Sequence, residues 1–144
     1  MRARIQEILS PEDPLVPAAW EAVSILRPHL TLQDYLDGVN DQMASGYRAL
    51  VICDSGRVAA YAGFRVTHML AWGRLLYIDD LVTHPDFREK GYGGHLLAWM
   101  IDEARRLGCP EVHLDSGHQR FDAHSLYHKM GFRITSHHFS MRVS

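Results

Sequence analysis

The hydrophobic positions of the chain change period several times, and each change predicts a new element of secondary structure. Short or alternating apolar runs predict strands over residues 2–9, 47–53, 58–66, 75–82, 111–115 and 132–143. Apolar residues at helical spacing predict helices over residues 15–26, from 32 to the glycine at 46, over 96–107 and over 123–130. The resulting order is strand, two helices, three strands, then helix, strand, helix and strand.

Turn and cap signals support this order. Residues 54–57, Asp-Ser-Gly-Arg, predict a tight hairpin turn between two strands. Thr31 is a candidate N-cap with Asp34 in the first turn after it, and Asp122 is a candidate N-cap for the last helix. Gly63 lies inside an apolar strand, where a glycine indicates a bulge or a close backbone approach.

Length and composition exclude several classes of protein. The chain has 144 residues, of which 47% are hydrophobic and 22% charged, which predicts one globular domain over residues 1–144. A net charge of −2 argues against a nucleic-acid partner. Cys53 and Cys109 are too few for a disulfide framework, and no run approaches the ~18 apolar residues of a membrane helix. We therefore expect a cytoplasmic protein with no membrane partner.

A glycine-rich turn follows the apolar strand at 75–82 and opens the helix at 96–107. Strand, glycine turn and helix start together indicate an anion site, because glycine lets the backbone approach a phosphate and the first-turn amides are free. The spacing fits neither a dinucleotide-binding fingerprint nor a Walker loop. It fits [Arg/Gln]-x-x-Gly-x-[Gly/Ala], filled by Arg88, Gly91 and Gly93. Taken alone, the glycine-rich turn is explained about equally well by an ordinary loop that precedes a helix as by an anion site.

A second motif makes the pattern specific. Residues 125–132 end a helix with Tyr127, Gly131 and Phe132, about forty residues after the glycine turn. The two motifs together resemble the GNAT superfamily of acyl-CoA-dependent N-acetyltransferases, and the run at 114–117 resembles an uncharacterised bacterial subgroup. The resemblance implies an α+β fold with a mixed, mostly antiparallel central sheet of about six or seven strands and about four helices on both faces.

The resemblance also implies a coenzyme site, with acetyl-CoA as co-substrate. The pantetheine arm would pair with the backbone of Leu81, Val82 and Thr83 and enter through a wedge between the fourth and fifth strands. Ser125 and Tyr127 would contact the coenzyme from the last helix. The pyrophosphate would bind the loop formed by Arg88, Glu89, Lys90, Gly91, Tyr92, Gly93 and Gly94.

Two residues are candidate catalysts under this resemblance. Tyr127 would give the departing thiolate a proton, and Asp79 would take the amine's proton, directly or through water. Asp79 and Asp80 are adjacent in a strand, so we expect their side chains to point to opposite faces. For Asp79 a structural role is an equal alternative, and for Asp80 it is the preferred one. Arg120 stands where many relatives have an asparagine that contacts the coenzyme.

Other functions stay open at this stage. The acceptor would be a small-molecule amine or a protein or peptide amine, held by the first two helices and their connection, and a homodimer is also open. The main rival is a non-catalytic acyl-CoA-binding or sensor domain of the same fold. His124 and His128 are four apart on a helix, which allows a metal-binding protein as a second rival. No third ligand is evident, so we expect no metal.

Overall fold

The computed structural model describes residues 4–144 and divides into two compact units, Met1–Leu114 and Asp115–Ser144. The first unit contains the sheet, with strands β1 (Arg4–Ile8), β2 (Arg48–Asp54), β3 (Arg57–Met69), β4 (Gly73–Thr83) and β5 (Glu111–Leu114). Its helices are α1 (Leu15–Ala18), α2 (Trp20–Leu26), α3 (Leu32–Ala44) and α4 (Tyr92–Arg106). The second unit contains helix α5 (Phe121–Lys129). The prediction of a single domain over residues 1–144 stays a prediction.

The sheet is mixed and mostly antiparallel, as predicted. In the part of the chain that the structure describes, the strand order is β1-β2-β3-β4-β5, and only the β4–β5 pair is parallel. Within residues 4–144 it has five strands, so the prediction of six or seven is wrong. The difference lies at residues 132–144, where no strand forms and Phe139, Met141 and Val143 are exposed. Alternation supplies one apolar face, but a strand also needs a neighbour for its backbone hydrogen bonds.

The helices begin close to their predicted starts. Thr31 and Asp34 form a capping box at α3, in which each side chain accepts a hydrogen bond from the other residue's backbone N–H. The predicted helix at 15–26 is divided into α1 and α2 at Ala19, and Pro17 in α1 brings no backbone donor. Asp122 does not cap α5, because the helix already begins at Phe121 and places Asp122 in the first turn.

Hydrophobic side chains pack on both faces of the sheet, which sandwiches it between helices. On one face Val16 and Val39, from α1 and α3, pack in a single cluster with Tyr61. On the other face the ring of Phe64 lies 6.0 Å from that of Trp99 in α4. Because residues of one strand alternate between faces, neighbouring positions of β3 serve both layers.

An ion network connects the β1–β2 edge of the sheet to α4. Arg48 bonds Glu7 at 2.8 Å and Glu103 at 2.7 Å, and Arg106 also bonds Glu103 at 2.6 Å. Glu103 is buried, and these bonds, led by that of Arg106, lower its pKa to about 2. Two guanidinium groups therefore keep the buried carboxylate ionised.

Among residues 4–144, no helix is long and apolar enough to span a bilayer.

Candidate active site

A β-bulge between β3 and β4 shapes the centre of the first unit. Gly63 pairs with Asp80 and Phe64 pairs with Ile78, which leaves Asp79 as an extra residue in β4. The bulge predicted from Gly63 is therefore present. An extra residue interrupts the regular alternation of side chains along its strand.

The bulge brings two adjacent carboxylates to one face of the sheet. Asp79 accepts a bond from Arg65 Nε at 3.0 Å, and Asp80 Oδ2 accepts one from the Tyr47 hydroxyl at 2.7 Å. Tyr47 packs with Tyr61, which lies four residues before Arg65 in β3 and so on the same face. Both aspartates line one cavity. The prediction that they point to opposite faces is wrong, because the extra residue resets the alternation.

This cavity of about 310 Å³ lies where α2, α3 and their connection meet the sheet. Its volume is at the lower end of the range of small-molecule sites. Its wall combines carboxylates, tyrosines, one guanidinium and apolar side chains. The lining residues are Val23, Arg27, His29, Leu30, Asp34, Tyr35, Gly38, Val39, Gln42, Tyr47, Tyr61, Asp79 and Asp80.

A hydrogen-bond network holds the two carboxylates in the cavity wall. Arg27 donates from Nε and Nη2 to Asp80 Oδ1 at 3.1 and 2.9 Å, and from Nη2 to the Asp79 carbonyl at 2.9 Å. The hydroxyls of Tyr47 and Tyr61 lie 2.9 Å apart. Burial raises the pKa of the Tyr47 hydroxyl. Burial also raises the pKa of the Asp79 carboxyl, although the hydrogen bond from Arg65 partly opposes this shift. Asp79 therefore binds a proton more readily than an ordinary aspartate does.

The glycine-rich loop leaves the end of β4 and leads into α4. Glu89 has φ 67° and Gly91 has φ 77°, and Gly91 is the N-cap of the helix. Among the described residues, no side chain forms an N-cap hydrogen bond at α4, so the first turn of the helix is not capped by a side-chain acceptor. This is the backbone shape that glycine favours and that an anion can use. Arg88 to Gly91 thus form the turn, and Tyr92 to Gly94 begin α4 directly after it.

Asp54 anchors this loop from the β2–β3 turn. Its Oδ2 accepts hydrogen bonds from the Tyr92 hydroxyl at 2.6 Å and from Lys90 Nζ at 3.0 Å. These bonds lower the pKa of Asp54 to about 2, and the bond from Tyr92 contributes more than the bond from Lys90. The side chains of Lys90 and Tyr92 are therefore turned toward the protein rather than toward an anion.

β4 extends beyond its neighbour β5. The parallel ladder between them ends at Ile78 and Leu114, whereas β4 continues to Thr83. Leu81 and Val82 are buried and Thr83 is half-buried, and all three pair with β3 on their other side. The predicted pantetheine-binding strand thus continues past the end of its parallel partner.

Tyr127 belongs to the second unit. It lies in α5, is only 8% exposed, and packs edge-on against Phe132 with ring centres 6.0 Å apart. Burial raises the pKa of its hydroxyl, partly opposed by Arg120, so the phenol stays protonated at neutral pH. Ser125, on the same helix, is exposed.

The described residues contain no group of three or more His, Cys, Asp or Glu side chains that could hold a metal. His128 instead lies 3.3 Å from the carbonyl oxygen of Phe132. Cys53 and Cys109 are free thiols.

Sequence reasoning did not identify four residues that shape the site: Arg27, Tyr47, Asp54 and Arg65. Each contacts a partner far away in sequence, and the turn motif that contains Asp54 does not indicate its bonds to the glycine-rich loop. Gly63 was the one available signal, since a glycine inside a strand indicates close approach of another group.

Comparison with known proteins agrees with this architecture. A model described as the Acetyltransferase (GNAT) family matches residues 3–132. The uncharacterized N-acetyltransferase YhdJ of Bacillus subtilis (strain 168) is 36% identical over 127 residues, covering 87% of this chain and 89% of the relative. The L-methionine sulfoximine/L-methionine sulfone acetyltransferase of Salmonella typhimurium is 33% identical over 91 residues, 63% of this chain and 53% of that protein.

A solved structure shows the same fold. Aminoglycoside N-acetyltransferase AAC(6')-Iy in complex with CoA aligns with a TM-score of 0.81 at 17% identity, covering 98% of this chain and 94% of that one. Identity this low supports the fold alone. The family model and the two relatives named as acetyltransferases favour an enzyme over a coenzyme-binding module. The chain therefore belongs to the GNAT acetyltransferase family and is an acyl-CoA-dependent N-acyltransferase.

Proposed function

We propose that this enzyme transfers an acetyl group from acetyl-CoA to the primary amine of a small acceptor by direct attack. The observation that carries the proposal is the bulge in β4. It places Asp79 and Asp80 in the wall of a ligand-sized cavity, directly before the strand residues Leu81, Val82 and Thr83. An acceptor in the cavity would lie beside Asp79 and Asp80. A thioester paired with Leu81, Val82 and Thr83 would lie along the next stretch of the same strand.

The glycine loop supports the coenzyme half of the proposal. The left-handed backbone at Gly91 and the first-turn amides of α4 suit a pyrophosphate, with Gly93 and Gly94 leaving room for close approach. Arg88 would add positive charge. Lys90 and Tyr92 would act by holding the loop's shape through Asp54.

The chemistry needs little from the protein beyond positioning. A thioester is already reactive, so holding the amine near its carbonyl carbon supplies most of the acceleration. A backbone amide near Leu81 would stabilise the carbonyl oxygen as negative charge develops. Asp79, with its raised pKa, would take the amine's proton directly or through water. Tyr127 would protonate the departing thiolate.

The acceptor is proposed to be a small molecule, because the cavity is small and because the Salmonella relative, named for L-methionine sulfoximine and L-methionine sulfone, indicates an acceptor of that size. A screen of an amine library with acetyl-CoA, read by thiol detection of released coenzyme, tests the proposal. We expect release with at least one class of primary amine and none without an acceptor. Binding of acetyl-CoA without release for any amine class would contradict it.

A further inference from the structure

The charges around the cavity restrict which amines it can accept, and this inference rests on the proposed function. Three carboxylates line the cavity, those of Asp34, Asp79 and Asp80, against the single guanidinium of Arg27 and the imidazole of His29. A ligand that enters this space therefore meets more negative than positive groups.

The positive charge of Arg27 is already offset. Two of its nitrogens donate to Asp80 Oδ1, and one of these also donates to the Asp79 carbonyl. Its third nitrogen, Nη1, has no partner among residues 4–144 and is the one guanidinium position left for an incoming carboxylate. Any anion bound there would lie close to Asp80, which accepts from the same guanidinium.

The other two carboxylates add to this imbalance. Asp79 is paired with Arg65, which does not line the cavity. The Asp34 carboxylate accepts one hydrogen bond, from the Thr31 backbone N–H. Its bonding with Thr31 lowers the pKa of the carboxyl, which keeps it ionised. Among residues 4–144, Asp34 therefore forms no ion pair with a lysine or an arginine, although the nearby His29 adds to the lowering of its pKa.

Asp80 also retains hydrogen-bonding capacity that suits an ammonium group. Its Oδ1 accepts two bonds from Arg27, whereas Oδ2 accepts one bond, from Tyr47. A carboxylate oxygen accepts about two hydrogen bonds, so Oδ2 has one position free. We propose that the acceptor is a cationic alkylamine or diamine without a carboxylate, and that Asp80 Oδ2 binds its ammonium group before transfer.

Three matched probes test this selectivity by binding, independently of turnover. 1-Aminobutane, 1,4-diaminobutane and 4-aminobutanoate share one amine on a four-carbon chain and differ at the far end. Ligand-observed NMR titrations at low salt and about pH 8, where an ordinary imidazole is neutral, give the dissociation constants. We expect 4-aminobutanoate to bind at least about tenfold more weakly than 1-aminobutane, and the diamine to bind at least as tightly as 1-aminobutane.

Variants identify the groups responsible. Asp80→Asn should weaken the binding of 1-aminobutane. Asp34→Asn, at a separate position in α3, should reduce the ratio between the dissociation constants of 4-aminobutanoate and 1-aminobutane. Asp37→Asn serves as the control, because Asp37 is exposed on α3, bonds Gln33 and does not line the cavity. It should leave all three constants unchanged.

The outcomes separate this inference from the proposed function. Equal or tighter binding of 4-aminobutanoate would show that Arg27 captures carboxylates and would overturn the inference, as would failure of all three probes to bind. If the expected order holds while no amine releases coenzyme, the cavity selects cationic amines as inferred, but the proposed transfer to them fails.

Discussion

The hydroxyl of Tyr47 occupies the space that a side chain at position 63 would need. A Cβ atom placed on Gly63 would overlap the hydroxyl oxygen and ring carbons of Tyr47. The same hydroxyl bonds Asp80 at 2.7 Å and lies 2.9 Å from that of Tyr61. The absence of a side chain at one strand position therefore allows the hydrogen bond that helps to hold a cavity carboxylate.

Replacing Gly63 with alanine should displace Tyr47 and destabilise the fold. Overpacking of this kind costs about 1–3 kcal/mol, and chemical denaturation would measure it. Gly38→Ala is the control, because nothing lies within 4 Å of its added Cβ and alanine favours the helix by about 1 kcal/mol. In a Tyr47→Val background, Gly63→Ala should cost less stability than it does when Tyr47 is present. Equal stabilities of Gly63→Ala and wild type would show that Tyr47 adapts freely.

Valine at position 91 should abolish acetyl-CoA binding. A β-branched residue strongly disfavours the φ of 77° at the N-cap of α4, so the loop would change its path. Gly93→Val should do the same by blocking close approach of a phosphate. Gly108→Val is a matched control, with φ 72° just beyond the other end of α4. It should lose stability but keep coenzyme affinity in calorimetric titration. Unchanged acetyl-CoA affinity in Gly91→Val would show that the coenzyme binds at a different site.

Asparagine in place of Asp79 should lower turnover by about a hundredfold or more at neutral pH. Acetyl-CoA affinity should barely change, because the role proposed for Asp79 is on the acceptor. Burial raises the pKa of Asp79, so the wild-type rate should fall with decreasing pH at a higher pH than for an ordinary aspartate base. Higher pH should partly restore the variant, because more amine is then neutral. Rates that match the wild type at every pH would assign Asp79 a structural role.

Removal of the Tyr127 hydroxyl should slow turnover by roughly ten- to a thousandfold. The loss of turnover should be limited, because the thiol of coenzyme A has a pKa of roughly 8 to 9 on the cysteine scale and can therefore leave as an unprotonated thiolate. Tyr127→Phe keeps the ring that packs on Phe132, so the melting temperature should be nearly unchanged and coenzyme affinity should stay within a few-fold. Wild-type turnover in the folded variant would make Tyr127 a packing residue.

Acid should weaken the contact between Arg48 and Glu103. The folded-state pKa of Glu103 is lowered to about 2 from 4.5, so its stabilising effect is present above pH 4.5 and is lost as pH falls toward 2. Glu103→Gln should flatten this part of a plot of unfolding free energy against pH. Asp102→Asn, which removes an exposed pair with Arg105, should leave the plot almost unchanged. Identical slopes in wild type and Glu103→Gln would contradict the assignment.

Much of the fold follows from signals that act over a few residues. The capping box of Thr31 and Asp34 and the hairpin turn at 54–57 each depend on bonds between near neighbours. The glycine loop at 88–94 is of the same kind. Such geometry is set by backbone preferences and short-range hydrogen bonds, which a single sequence states directly. The family resemblance rested on two local patterns, this glycine loop and the helix end at 125–132.

The sequence by itself thus determined the loop, the turns, the order of most elements and the family. Only the tertiary structure decided that Asp79 and Asp80 share a face, because the bulge arises from the pairing of β3 with β4. It also decided that Tyr47 lies over Gly63, sixteen positions away along the chain. The alternation at 132–143 predicted a strand that does not form, since a strand requires a neighbour as well as an apolar face. Contacts between distant segments depend on how whole elements pack, and no local pattern encodes them.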